Sequence, residues 1–202
     1  MSRDWLAWHE AYDDPTSSLS RRLAVVREAL TTALAERTGR VSLLSLCAGD
    51  GRDTLPVLAA STVDVSAVLV ELDPDLGGTA RRDAAALGLD VAVRADDAGL
   101  VAVWADAVPV DVLMLCGVLG NITDDDIRRT LEAAPLLLQP GGTLIWTRAG
   151  DLGEWVRDLL RGAGWRERLF VEPDDASFRV GVHEWHGNAS GILAERLFSF
   201  VP

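Results

Sequence analysis

The 202-residue sequence contains no lysine, so all 19 of its basic residues are arginine. That absence excludes Schiff-base catalysis and the lysine of a phosphate-binding loop. With the abundance of alanine, it is the composition of a high-GC genome. Cysteine is scarce. Cys47 and Cys116 each close an apolar run, the pattern of buried thiols in a reducing compartment and not of a disulfide scaffold. No apolar run is long enough for a transmembrane helix. The opening "MSRDWLAWHEAYDD" is too acidic and too interrupted for a signal peptide. A cytoplasmic protein with no membrane partner is therefore expected. Nucleophile and metalloprotease motifs are missing too, since neither G-x-S-x-G nor H-E-x-x-H occurs.

Acidic residues are plentiful, outnumbering basic ones 31 to 19 for a net charge of -12. Proteins that grip nucleic acid need a cationic surface, so nucleic acid is not the expected partner. The chain is 49% hydrophobic and 25% charged, an ordinary globular balance. Its length suits one domain with a substantial core.

Helical spacing of Leu19, Leu23, Val26, Leu30 and Leu34 predicts an amphipathic helix ended near Gly39. "VSLLSLC" is then a near-continuous apolar strand, as in a sheet covered on both faces. Helix and strand alternate from there: "RDTLPVLAAS" as helix, a strand in "VDVSAVLVELDPD", "DLGGTARRDAAALG" as helix, and a strand in "LDVAVRADDAG". A fourth strand in "VDVLMLCGVLGN", a helix over 124–138, a fifth strand in "GGTLIWTR" and the helix "LGEWVRDLLRGAG" follow. This order predicts a mostly parallel sheet built from right-handed βαβ units. The tail segments "RERLFVE", "FRVGVHEW" and "ERLFSFV" read as strands too close together for helical crossovers, which requires an antiparallel hairpin. The expected organisation is one domain over 1–202, with a helical segment at 1–38 and the core at 41–202.

In open parallel sheets, ligands sit beyond the carboxyl ends of the strands where strand order reverses. The first such end is "CAGDGRD", in which Gly49 and Gly51 allow a tight turn and close approach of a ligand to the backbone. Its spacing matches neither the dinucleotide nor the phosphate-loop fingerprint. The second end carries Glu71, a carboxylate able to accept from both hydroxyls of a ribose. The third carries Asp97, suited to accept from an exocyclic amine such as that of adenine, with Asp96 as the alternative. The fourth is "LCGVLGN", where a second substrate would meet the first.

These segments resemble the class I S-adenosylmethionine (SAM) dependent methyltransferases. "LLSLCAGDGRD" is similar to their glycine motif, "AVLVELDP" to the acidic ribose motif, "RADDA" to the adenine motif and "PGGTLIWTR" to the fifth-strand signature. With "WHEAYDDP" and "GNITDDDIRRT", the chain resembles a group of small bacterial methyltransferases. The resemblance implies a Rossmann-like α/β fold: a mostly parallel seven-stranded sheet, an antiparallel C-terminal hairpin and helices on both faces. It implies SAM as cofactor and S-adenosylhomocysteine (SAH) as product. The backbone around Gly49 would meet the methionine part, Glu71 the ribose, and Asp97 with Ala98 the adenine, with Cys47, Ala48, Gly51, Arg52, Asp53, Leu72 and Asp96 also in the cofactor site. Cys116, Gly117 and Tyr12 would complete the cofactor site. Two departures stand out: Ser45 replaces the acidic residue of the first strand, and Cys47 the first glycine of G-x-G-x-G.

Methyl transfer from a sulfonium is an in-line displacement, in which the protein's main task is alignment. A general base is needed only for some acceptors; the candidates are His183, His186, His9 and Tyr12. His183 and His186 lie i, i+3 on a strand and so face opposite sides. Asp124, Asp125 and Asp126 read as the charged first turn of a helix capped by Thr123. No metal is therefore expected. His9 and Tyr12 belong to an N-terminal segment that either packs on the sheet edge or covers the cofactor. Loops around 117–124, 148–153 and 173–178 would complete the roof. The fourth-strand end lacks the [DN]-P-P-[YF] of enzymes acting on DNA bases. With the acidic charge, this points to a small-molecule acceptor; a non-catalytic SAM- or SAH-binding protein on the same fold is the competing reading. An aminopropyl transferase fits less well, because its acidic fourth-strand motif is missing.

Overall fold

The computed structural model describes residues 12, 14–150 and 153–201. Helix α1 spans Ser18–Ala35, and Ser17 caps it by accepting the Ser20 N–H at 3.0 Å. Strand β1 (Val41–Leu46) leads through the glycine turn to α2 (Leu55–Ala60). That helix starts later than its sequence suggests. Pro56 sits in its first turn, where a missing N–H costs nothing, so Arg52 and Asp53 stay on the turn. Next come β2 (Val65–Val70), α3 (Pro74–Ala86) and β3 (Asp90–Arg94). Two single-turn 3-10 segments lead to β4 (Val110–Leu115), followed by α4 (Asp124–Leu137) and β5 (Leu138–Ala149). Helix α5 (Gly153–Gly162), β6 (Arg166–Val171) and β7 (Phe178–Trp185) complete the elements.

The seven strands lie in the order β3-β2-β1-β4-β5-β7-β6. Strands β1 to β5 are parallel, and β7 runs antiparallel to both β5 and β6. Strand order reverses between β1 and β4, which opens a crevice at their carboxyl ends. The apolar strands bury both faces. Leu43, Ala67, Val112 and Ile145 pack with α1, α2 and α3 on one side. Leu44, Leu113, Leu144 and Trp146 pack with α4 and α5 on the other. As expected, Thr123 caps α4, accepting the Asp126 N–H at 3.2 Å. No helix among the described residues is long and apolar enough to cross a membrane.

The C-terminal segment corrects one expectation. "ERLFSFV" forms no strand of the sheet; it makes only isolated bridges, Leu100 with Arg196 and Ile122 with Phe200. Its Leu197 N–H donates to Gly99 O and its Val201 N–H to Asn121 O, both at 2.9 Å. The segment thus crosses the carboxyl ends of β3 and β4 as a strap. Its own Leu197 and Phe198 are buried.

Candidate functional site

A cavity of about 1080 Å³ opens at the switch point between β1 and β4. The turn after β1 shapes its floor. Cys47 adopts φ +59°, a left-handed conformation that side chains with a Cβ rarely take. Gly49 and Gly51 continue the turn at φ +59° and +75°. Gly51 itself does not line the cavity: a Cβ there would lie 2.9 Å from the Leu55 side chain, so its role is to let the turn pack on α2.

Glu71 follows β2 directly, and its two carboxylate oxygens are held by backbone. One accepts the Gly49 N–H at 2.7 Å and the other the Asp73 N–H at 2.9 Å. This fixes the carboxylate on the glycine turn while each oxygen keeps acceptor capacity toward the cavity. Beside it, Leu72 is 67% exposed, an apolar surface facing open space.

Asp97 also lines the cavity, but it is engaged. Arg196 from the strap donates to Oδ2 at 2.7 Å, and the Gly99 N–H donates to Oδ1 at 2.9 Å. Asp96 does not reach the cavity; it is exposed and accepts the Asp97 N–H instead. Of the two acids, Asp97 is the one that lines the cavity.

At the end of β4, Gly117 needs its φ of +84° and faces open space, with no atom within 4 Å of an added Cβ. Its N–H donates to Thr147 Oγ1 at 2.9 Å, and Asn121 Nδ2 donates to its carbonyl at 2.7 Å. Tyr12 lines the same cavity. Its hydroxyl accepts from Arg22 Nη2 at 2.7 Å, and the Arg52 guanidinium lies 4.5 Å from its ring centre. Burial raises the Tyr12 phenol pKa, against the pull of Arg22. Burial also pushes the Cys47 and Cys116 thiols up, helped by Glu71 and Asp53 respectively. All three groups are thus held protonated at neutral pH. Burial raises the Asp53 carboxyl as well.

The histidine candidates fall away from the site. His183 is 1% exposed inside the sheet; its Nδ1 accepts from Trp146 Nε1 at 3.2 Å, and Nε2 lies 3.6 Å from Glu167. His186 is exposed beyond β7 beside Glu184. Because β7 is antiparallel, its last residues pair with the amino end of β5, as Gly142 with Trp185. That is the sheet edge opposite the cavity. His9 lies outside the described residues.

The roof also differs from expectation. Residues 117–121 and 148–149 contribute, but the loop at 173–178 lines a separate surface hollow. Its place is taken by Arg196, Phe198 and Phe200 of the strap. Arg22 and Thr147 escaped the sequence reading, and Arg148 entered it only as part of the 148–153 loop. Thr147 and Arg148 end β5, so the strand-end rule extended by one strand finds them. The strap carries no such signal, since its alternation imitates a strand.

A sheet ordered β3-β2-β1-β4-β5-β7-β6, with β7 alone antiparallel and the crevice between β1 and β4, decides the fold. It is the class I SAM-dependent methyltransferase fold. Solved structures agree with it. A protein of an O-methyltransferase family from Burkholderia thailandensis superposes with a TM-score of 0.66 at 17% identity, covering 84% of this chain and 57% of that one. A protein designated a class I SAM-dependent methyltransferase, from Listeria monocytogenes, gives 0.62 at 17% identity over 87% and 62%. An RNA methyltransferase from Salinibacter ruber, crystallised with SAH, gives 0.52 at 20% identity over 85% and 97%. The chain thus spans about three-fifths of the length of the first two. No family model and no curated protein matches the sequence. At these identities the likeness establishes the methyltransferase fold.

Proposed function

We propose that the chain binds SAM in the β1/β4 crevice and transfers its methyl group to a small-molecule acceptor. The observation that carries this reading is the Glu71 carboxylate clamped on the Gly49 N–H at the cavity floor. It joins an acid of ribose-binding type to a close-approach backbone turn at one point. The donor and acceptor set fits the cofactor: carboxylates at the ends of β2 and β3, an exposed apolar Leu72 between them, and open space before Gly117.

When bound, SAM supplies an electrophilic methyl group on a sulfonium. The chain's own residues hold and align. Glu71 accepts from ribose hydroxyls, Asp97 from the adenine amine, and the turn at Cys47–Gly49 lies along the methionine part. Gly117, fixed by Thr147 and Asn121, borders the space where the acceptor approaches. The strap and Tyr12 limit water access, which favours displacement by a positioned nucleophile. The protonated state of Tyr12 and both thiols gives the cavity no strong base among them, which suits an acceptor that is nucleophilic without deprotonation.

A net charge of -12 supports a small acceptor over RNA, and the lack of a membrane-spanning helix among the described residues is compatible with a cytoplasmic location. Calorimetric titration with SAM and SAH tests the reading. Both should bind in the micromolar range, and Glu71→Ala should weaken each by about 1–3 kcal/mol. No heat of binding from either ligand at high micromolar protein would sink the proposal.

A further inference from the structure

The cavity exceeds the roughly 300–1,000 Å³ typical of a site for one small ligand. The cofactor reading accounts for the ends of β3, β2 and β1, taken in their order along the sheet. The end of β5, with Thr147 and Arg148, is left for a second molecule, which would meet the cofactor beyond β4 at Gly117 and Asn121.

Among the described residues, four guanidinium groups line the cavity, and three of them meet partners in its wall. Arg52 binds Asp50 at 2.5 Å and Arg196 binds Asp97 at 2.7 Å. Arg22 donates to the Tyr12 hydroxyl at 2.7 Å and lies in the field of Asp53. Arg148 differs. Its Nη1 donates to the Leu119 carbonyl, its Nε is buried without a hydrogen-bond partner, and its Nη2 donates to no described group. No described carboxylate comes within ion-pair distance; Asp124 attracts it only from farther away. Burial works against its charge. A half-buried cation with no ion-pair partner among the described residues is costly to keep, and a ligand anion would offset that cost. The guanidinium fork also matches an oxyanion in two parallel hydrogen bonds.

We infer that the acceptor carries an oxyanion, a carboxylate or a phosphate, and that Arg148 at the end of β5 binds it. The same cavity has an apolar surface in Phe198 and Phe200, whose ring centres lie 6.1 Å apart. The acceptor is then a small anionic molecule with a flat or apolar body. This inference rests on the cofactor assignment proposed above, because that assignment leaves the β5 end free.

Ligand-detected NMR titration tests it with benzoate, phenyl phosphate and neutral benzamide, on protein with and without SAH. At least one anion should bind about tenfold or more tightly than benzamide, the margin of a charge-assisted pair. Arg148→Ala and the equally long Arg148→Met should both erase that preference, and Arg148→Lys should keep part of it. SAH affinity, measured in parallel, should stay within about twofold of wild type in each folded variant. Equal binding of anions and benzamide, no binding of any anion, or a preference that survives both Arg148→Ala and Arg148→Met would overturn the inference. Failure of SAH to bind removes the cofactor reading separately, while the anion preference is still read on the protein alone.

Discussion

Gly49 donates its backbone N–H to the Glu71 carboxylate 2.7 Å away, although 22 positions separate them in the chain. The acid has two duties at once. Toward the protein it holds the glycine turn and its own loop through Asp73 N–H; toward the cavity it offers its spare lone pairs. These duties separate by substitution. Glu71→Gln keeps one carbonyl oxygen for the turn but loses the charge and one acceptor. It should cost stability no more than about 1 kcal/mol, while Glu71→Ala costs about 1–3 kcal/mol by leaving two N–H groups unpaired. Both should weaken SAH binding. Urea denaturation beside calorimetry reads the two effects. Equal stability losses in both variants would mean that the turn does not depend on the carbonyl.

Cys47 stands at φ +59°, where glycine is strain-free and any other residue costs about 1–2 kcal/mol. Its side chain packs against the core cluster on the α4 and α5 side. Removing the sulfur alone loses that packing and leaves the strain. Removing the whole side chain also releases the strain. Cys47→Gly should therefore be more stable than Cys47→Ala by about 1 kcal/mol, despite deleting more atoms. The reverse order in chemical denaturation would show that the turn is not strained.

The sheet and the first three strand ends were legible because each depends on local pattern. A covered parallel strand reads as a continuous apolar run, and glycine followed by an acid one strand later is a feature of short sequence range. Arg196 meets Asp97 across 99 positions. Nothing in "ERLFSFV" distinguishes a strap from a strand, because both alternate apolar and polar side chains. The histidines illustrate a second limit. Alternation tells which face a strand residue occupies, but the hairpin direction decides which end of the sheet it reaches. Antiparallel β7 carries His183 away from the cavity.

The strap is held by apolar burial more than by its ion pair. Arg196 and Asp97 are each more than a third exposed, so their pairing is worth at most about 1 kcal/mol. Phe198 is 2% exposed within the core, and its loss to alanine should cost about 3–5 kcal/mol. Arg196→Ala should leave global stability nearly unchanged while releasing Asp97. Amide hydrogen exchange at Leu197, whose N–H donates to Gly99 O, should then accelerate without a fall in the urea midpoint. A large drop in midpoint for Arg196→Ala would mean that the ion pair carries the strap.

His183 makes stability depend on pH. Burial lowers its pKa from 6.5 to about 4, and the nearby Arg157 and Arg161 act in the same direction, against the opposite pull of Glu167. In the unfolded chain it titrates near 6.5. Between those values the unfolded chain binds a proton at this position that the folded chain refuses. Folding stability is therefore fully present above pH 6.5 and falls as the pH drops toward 4, by up to about 3 kcal/mol. Below 4 this contribution levels off. Glu167 has a lowered pKa and lies beside the ring, so it adds a loss of the same sign at lower pH. His183→Gln keeps an acceptor for Trp146 Nε1 but cannot titrate. Its urea-unfolding free energy should decline less steeply than wild type between pH 6.5 and 4.5. Parallel curves for the two proteins would mean that His183 takes up its proton in the folded state as readily as in water.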